Sequence, residues 1–131
     1  MLTRMTIQTN KRDDIIEITN QVRDYIKSQK INDGVIVVYC PHTTAAITIN
    51  ENADPDVVHD MNFRLDEMVP LQHQRDLHGE GNSAAHVKAS MFGASETIIV
   101  YNGELLLGIW QGIYFCEFDG PRTRNYFIKT M

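Results

Sequence analysis

Residues 96–118 read Glu-Thr-Ile-Ile-Val-Tyr-Asn-Gly-Glu-Leu-Leu-Leu-Gly-Ile-Trp-Gln-Gly-Ile-Tyr-Phe-Cys-Glu-Phe. β-Branched and aromatic side chains dominate Glu96 to Tyr101, and Asn102-Gly103 supplies two residues that accept positive φ in a tight hairpin. Glu104 to Ile109 and Gly112 to Phe118 read as further strands, and Asn125 to Lys129 closes the series. Strands joined by turns this short run antiparallel, because a parallel crossover needs about a dozen residues or more.

Outward from this block the same pattern recurs. Val35-Ile-Val-Val-Tyr39 predicts a strand buried on both faces, and Ala45 to Ile49 continues in that style after Pro41. Arg4 to Thr9 alternates Met5, Ile7 and Thr9 with polar neighbours, as a half-buried strand does. After a short apolar piece at Ile15, Ile16 and Ile18, Thr19 is placed to cap a helix with Val22, Tyr25 and Ile26 on its apolar face, ending before Asp33-Gly34. Asp54-Pro55 starts a second helix, since Asp caps free amides and Pro fits the first turn; Val57, Val58, Met61, Leu65 and Met68 form its stripe. A polar loop from Pro70 to Asn82 leads into a short helix over Ser83 to Phe92. About seven mostly antiparallel strands with two main helices define an α+β fold.

The chain has 131 residues, near the commonest size of one domain, and no repeat or linker divides residues 1–131. Twelve Lys and Arg against seventeen Asp and Glu give a formal charge of -5, the wrong sign for a surface that neutralises nucleic-acid phosphates. No apolar run approaches the roughly 18 residues of a membrane span, and Met1 to Thr6 holds no apolar core of a secretion signal. The expectation is a soluble cytoplasmic protein with neither a nucleic-acid nor a membrane partner. Cys40 and Cys116, far apart and outside any Cys-x-x-Cys spacing, read as reduced core residues.

Four stretches could carry chemistry. In His78-Gly79-Glu80-Gly81-Asn82, followed by His86 and Lys88, two imidazoles could converge on a metal, while the glycines let backbone amides approach an anion at a helix N-terminus. A solvated loop whose histidines cap local structure fits the same residues. His42, followed by Thr43-Thr44, suits a pocket wall where imidazole serves as ligand or acid/base, and equally a satisfied core histidine. Asn50 to Asp56 concentrates oxygens that could hold Mg²⁺ with water, although capping alone accounts for Asp54. In Glu117-Phe118-Asp119-Gly120-Pro121-Arg122 a carboxylate and a guanidinium meet at a rigid turn; Arg grips phosphate bidentately, or else pairs with Asp119 to fix the turn. Trp110 reads as core packing.

Together and in order, three blocks resemble the YjbQ-like family, also named secondary thiamine-phosphate synthase enzymes. They are Pro41-His42-Thr43-Thr44-Ala45-Ala46 with Ile49-Asn50-Glu51; the His78 to Asn82 loop with His86, Lys88, Ala89 and Ser90; and Gly108 and Trp110-Gln111-Gly112 with Glu117 to Arg122. The resemblance spans nearly the whole chain. Ile109 stands where Thr is expected and Met91-Phe92 where Leu-Leu is usual, and neither departure alters a polar group.

The resemblance implies a YjbQ-like β-sandwich of two sheets, assembled as a homotrimer with pockets near subunit boundaries. The implied activity joins a hydroxymethylpyrimidine diphosphate to a thiazole phosphate and releases pyrophosphate, so a small phosphorylated substrate is the expected partner. On this resemblance a divalent metal, zinc or magnesium, is assigned to His42, His78 and His86. Glu80, Glu117 and Asp119 are the catalytic candidates, and Asn50, Asn82, Lys88, Gln111 and Arg122 the substrate- and phosphate-binding ones. Two alternatives stay open: a metal-dependent hydrolase of a small phosphorylated or acyl metabolite, and a non-catalytic trimer that binds a metabolite or metal.

Overall fold

The computed structural model describes residues 2–131. Eight strands and three helices follow in the order β1 (Leu2–Gln8), β2 (Asp14–Glu17), α1 (Thr19–Ser28), β3 (Gly34–Tyr39), β4 (Ala45–Glu51), α2 (Pro55–Met68), α3 (Ser83–Phe92), β5 (Ser95–Tyr101), β6 (Glu104–Leu105), β7 (Gln111–Glu117) and β8 (Thr123–Thr130). Every pairing is antiparallel, in a five-stranded sheet ordered β1-β8-β3-β5-β6 and a three-stranded sheet ordered β2-β7-β4. The expected α+β sandwich is the observed one.

Alternation along the strands builds the core. Ile36, Val38, Ile98, Val100, Tyr126 and Ile128 of the large sheet face Ile47, Ile113 and Phe115 of the small one, and Val22, Tyr25 and Ile26 of α1 join the same cluster. The other face of the small sheet presents Ala46, Tyr114 and Cys116 to Leu65 of α2 and to Ala85 and Ala89 of α3. The small sheet is thus a middle layer, and its central strand β7 is buried at every residue from Gly112 to Glu117.

That layering corrects several expectations. β3 is covered on one face only: Ile36 and Val38 are fully buried, whereas Val37 is half-buried and Tyr39 is 46% exposed. The outer face of the large sheet carries Leu2, Tyr39, Ile99 and Tyr101 in the open within a single chain. Ile15 and Ile16 lie in a four-residue strand, β2, that pairs with β7 through Ile15 to Cys116 and Ile16 to Phe115. Ile18, not Thr19, occupies the cap of α1. The Thr19 hydroxyl instead donates to Glu17 Oε2 at 2.8 Å and accepts the Ile113 amide at 2.9 Å, tying the helix start to β7. The strand expected to reach Ile109 stops at Leu105, and Gly108 to Gln111 forms a turn in which Trp110 is 60% exposed rather than buried.

Other local readings hold. Asp54 caps α2, accepting the Asp56 amide at 2.9 Å with Pro55 in the first turn. Cys40 and Cys116 are buried and unpaired. Among the described residues no helix is long and apolar enough to cross a membrane.

Candidate functional site

The turn between β7 and β8 is one of the crossings between the sheets, since β7 belongs to the small sheet and β8 to the large one. Glu117, the last residue of β7, is wholly buried, and Arg124 near the start of β8 is 4% exposed. The guanidinium meets the carboxylate in a fork, Nε to Oε1 at 2.8 Å and Nη2 to Oε2 at 2.5 Å. Glu117 also accepts the Thr9 hydroxyl at 2.9 Å and the Asp119 amide at 3.0 Å. Burial pushes its carboxyl up, but these donors and the Arg124 charge outweigh burial and hold it below its ordinary value. Arg124 Nη2 reaches on to the Thr44 hydroxyl at 2.7 Å, so the pair also anchors the start of β4.

Above this floor stand the groups with room to act. Asp119 Oδ2 accepts both Asn82 Nδ2 at 2.8 Å and Arg122 Nη2 at 3.0 Å, and Arg122 Nε donates to the Asp119 carbonyl. His42 lies between β3 and β4, and its Nε2 accepts the Asn125 amide at 3.0 Å. That hydrogen bond requires an unprotonated Nε2, which leaves the ring proton of the neutral form on Nδ1. Burial, with the nearby Arg124 charge, lowers the His42 pKa from its ordinary value. His78 to Gly81 forms a tight turn closed by the Gly81 amide on the His78 carbonyl at 3.1 Å; Gly81 adopts φ of +71°, where a side chain would be strained. The His78 ring meets His86 of α3 edge-on, centroids 5.4 Å apart, and its Nε2 is 4.0 Å from Glu80 Oε2.

His42, His78, Glu80, Asn82, His86, Asp119 and Arg122 line one pocket of about 420 Å³, with Arg124 and Thr44 also in its wall. Four expected residues lie elsewhere. Glu117 lies behind Arg124 as structure. Lys88 is 4% exposed and places Nζ on Asp66 Oδ1 at 2.7 Å and Asp13 Oδ1 at 3.1 Å, with the Phe118 ring 5.9 Å away. Two residues along a helix turn a side chain by about 200°, so Lys88 cannot share the pocket side with His86. Asn50 pairs in register with Gly112 and Glu51 with Gln111, at the opposite end of β4 from Thr44. Asn50 Oδ1 accepts the Glu51 amide and Gln111 Oε1 accepts the Gly108 amide, so both serve local turns.

Arg124 was not singled out by the sequence reading. Its signal is alternation: on β8 it shares the buried face with Tyr126 and Ile128, and a charge at such a position demands a buried partner. The metal assignment is narrowed by the same geometry. His42 Nε2 is already engaged, and among the described residues no three His, Cys, Asp or Glu side chains are grouped to hold an ion. His78 and His86 are left as a pair of adjoining imidazoles, two ligands rather than three.

A profile of the family described as UPF0047 protein YjbQ-like matches residues 3–131. UPF0047 protein YugU of Bacillus subtilis is 58% identical over 131 residues, covering 100% of this chain and 99% of that protein. UPF0047 protein MJ1081 of Methanocaldococcus jannaschii is 50% identical over 129 residues, 98% of this chain and 93% of that protein. The crystal structure of an uncharacterized conserved protein of the YjbQ/UPF0047 family from Clostridium acetobutylicum superposes with a TM-score of 0.95 at 51% identity, covering 98% of this chain and 99% of that one. A YbjQ-like protein from Sulfolobus solfataricus gives 0.94 at 26% identity, over 99% and 95% of the two chains.

Proposed function

Because the chain belongs to the YjbQ-like UPF0047 family, we propose that it binds and transforms a small phosphorylated metabolite in the pocket between His42, His78 and Asp119. The first reaction is the joining of a hydroxymethylpyrimidine diphosphate to a thiazole phosphate. In it the bond from the methylene carbon to the diphosphate oxygen breaks, the thiazole nitrogen bonds to that carbon, and pyrophosphate leaves with the electron pair. The observation that supports this reading is the convergence of three separate sequence blocks on one cavity of about 420 Å³, within the size range of small-molecule sites.

Arg122, aligned by Asp119, is the cation suited to grip a phosphate. Asn82, held by the same carboxylate, orients beside it. The imidazoles of His42, His78 and His86 supply groups of the kind that exchange protons near neutral pH, with Glu80 beside His78. A divalent metal, zinc or magnesium, taken up at His78 and His86 would neutralise charge developing on the leaving phosphate. Purified protein given both precursors and either metal is expected to release pyrophosphate, and His78→Ala and Arg122→Ala to lose that release. Turnover no faster than the protein-free reaction with both metals ends the synthase reading.

One observation favours a second reaction, hydrolysis of a single phosphorylated metabolite. Glu80 and Asp119 stand in the pocket wall against Arg122 and Arg124, and Arg124 is already neutralised by Glu117. Lys88 adds no charge there. Two carboxylates against one uncompensated guanidinium suit one phosphate better than the three phosphoryl groups of the two precursors. Phosphate release from a phosphomonoester, without pyrophosphate from the precursors, selects this reaction.

A homotrimer belongs to the same reading. β3 carries apolar residues toward both sides, and a single chain covers one of them. Sedimentation should give three times the 15.0 kDa chain mass, and Tyr39→Lys with Ile99→Lys on the open face should return it to one. A monomeric wild-type chain removes the assembly from the proposal.

A further inference from the structure

The cleft has a second lobe. Beyond His42, Thr43 and His86, which both lobes share, the surface opens into a hollow of about 480 Å³ over Ala45, Ala89, Gly93 and Ala94. No Asp, Glu, Lys or Arg lines this lobe among the described residues, whereas Glu80, Asp119, Arg122 and Arg124 all line the first. Gly93 ends α3 with φ of +95° and its amide on the Ala89 carbonyl; a Cβ there would meet nothing within 4 Å. The chain therefore leaves the helix without filling the hollow.

The first lobe holds an unsatisfied group. Asn82 is 9% exposed; its Nδ2 is used by Asp119, and its Oδ1 is buried with no hydrogen-bond partner. That oxygen has no open surface, so Asn82 serves the pocket through Asp119, which its Nδ2 holds in place. Arg122, beside it, calls for an acceptor. A phosphate head supplies it, since its anionic oxygens suit the guanidinium fork.

We infer that one ligand spans both lobes: a phosphomonoester whose head meets Arg122 and whose uncharged, flat body lies over Ala89, Gly93 and Ala94. His42 and His86, which line both lobes, then flank the join between head and body. This rests on the phosphorylated-metabolite reading and names the substrate class for it. The size of the body is set by small side chains, which makes Ser90 and Ala94 specificity-determining positions at the rim.

Calorimetric titration with inorganic phosphate and with phenyl phosphate tests the inference. The expected result is binding of phenyl phosphate roughly tenfold or more tighter than phosphate, the scale set by burying part of a ring's apolar surface. Ala94→Leu and Ser90→Leu, two independent ways of filling the lobe, should each bring that ratio toward one, and Arg122→Ala should weaken both probes. A wild-type ratio near one, a ratio unchanged in both filled variants, or no phenyl phosphate binding at about 10 mM overturns it. A protein that shows the ratio but releases no pyrophosphate keeps this inference and loses the synthase. Pyrophosphate release with a ratio near one does the reverse.

Discussion

Arg124 and Glu117 form a forked ion pair at 2.8 and 2.5 Å that crosses from the large sheet to the small one beneath the pocket. Glu117 has no exposed surface and Arg124 only 4%, so each is the other's main compensation for desolvation, beside Thr9, Thr44 and the Asp119 amide. The pair positions the Asp119 turn rather than meeting a ligand itself.

Removing one member strands the other. Glu117→Gln and Arg124→Met are each expected to lower stability by about 3–5 kcal/mol, the usual cost of leaving a buried charge unpaired, with the double variant recovering part of the loss. Urea unfolding midpoints read this directly. The pH dependence follows from the lowered carboxyl: stability from Glu117 is complete above its unfolded pKa near 4.5 and is lost as pH falls through the lower folded value. Wild type should therefore lose stability below that pH more steeply than Glu117→Gln.

His42 has the opposite chemistry and a related pH response. Its folded pKa lies below the ordinary 6.5, so the unfolded chain binds the proton first. Stability is full above pH 6.5 and falls as the pH drops from there through the folded value. Ring-proton NMR should show His42 titrating below the ordinary 6.5; titration at that value would mean that the ring is not held where burial and Arg124 lower it.

Lys88 separates stability from binding. With Nζ on Asp13 and Asp66, Lys88→Met is expected to cost about 1–3 kcal/mol, because both carboxylates lose a charged hydrogen-bond donor while the mostly buried Asp13 keeps Arg12 Nε at 2.7 Å. Its effect on phosphate affinity should stay within about twofold. A large loss of affinity at unchanged stability would put Lys88 in the pocket after all.

These residues also show what a sequence exposes about such a protein. Strand identity is local, carried by alternation and β-branching, so β3, β4, β5, β7 and β8 were legible from side chains alone. Which face is covered is tertiary: β3 and β7 read alike, and only the layer order leaves Tyr39 open while burying Cys116. In the site, the blocks around His42, His78 and Asp119 were legible because each concentrates polar groups beside glycine or proline. Charge partners were not, because Asp13 and Asp66 lie 75 and 22 positions from Lys88. Arg124 shows the reverse case, a core-face charge that alternation could have flagged.

The two glycines beside the pocket's carboxylates make the last test, because they differ in what surrounds them. A Cβ on Gly120 would lie 2.4 Å from the Lys11 carbonyl oxygen and 2.8 Å from Glu117 Cγ and Thr9 Oγ1. The first is backbone and cannot swing away, and the others belong to the buried pair's own network. Gly120→Ala must therefore push the Asp119 turn outward, at a cost of about 1–3 kcal/mol or more, and it should weaken phenyl phosphate binding because Asp119 no longer aligns Arg122. Gly79, in the His78 turn, has nothing within 4 Å of the same position and no positive φ. Gly79→Ala should change stability by no more than about 0.5 kcal/mol. Thermal melts of the two variants, paired with the same ligand titration, distinguish a turn held by packing from one held by its sequence alone. Equal tolerance at both positions would mean that the Asp119 turn is free to move and does not fix the pocket.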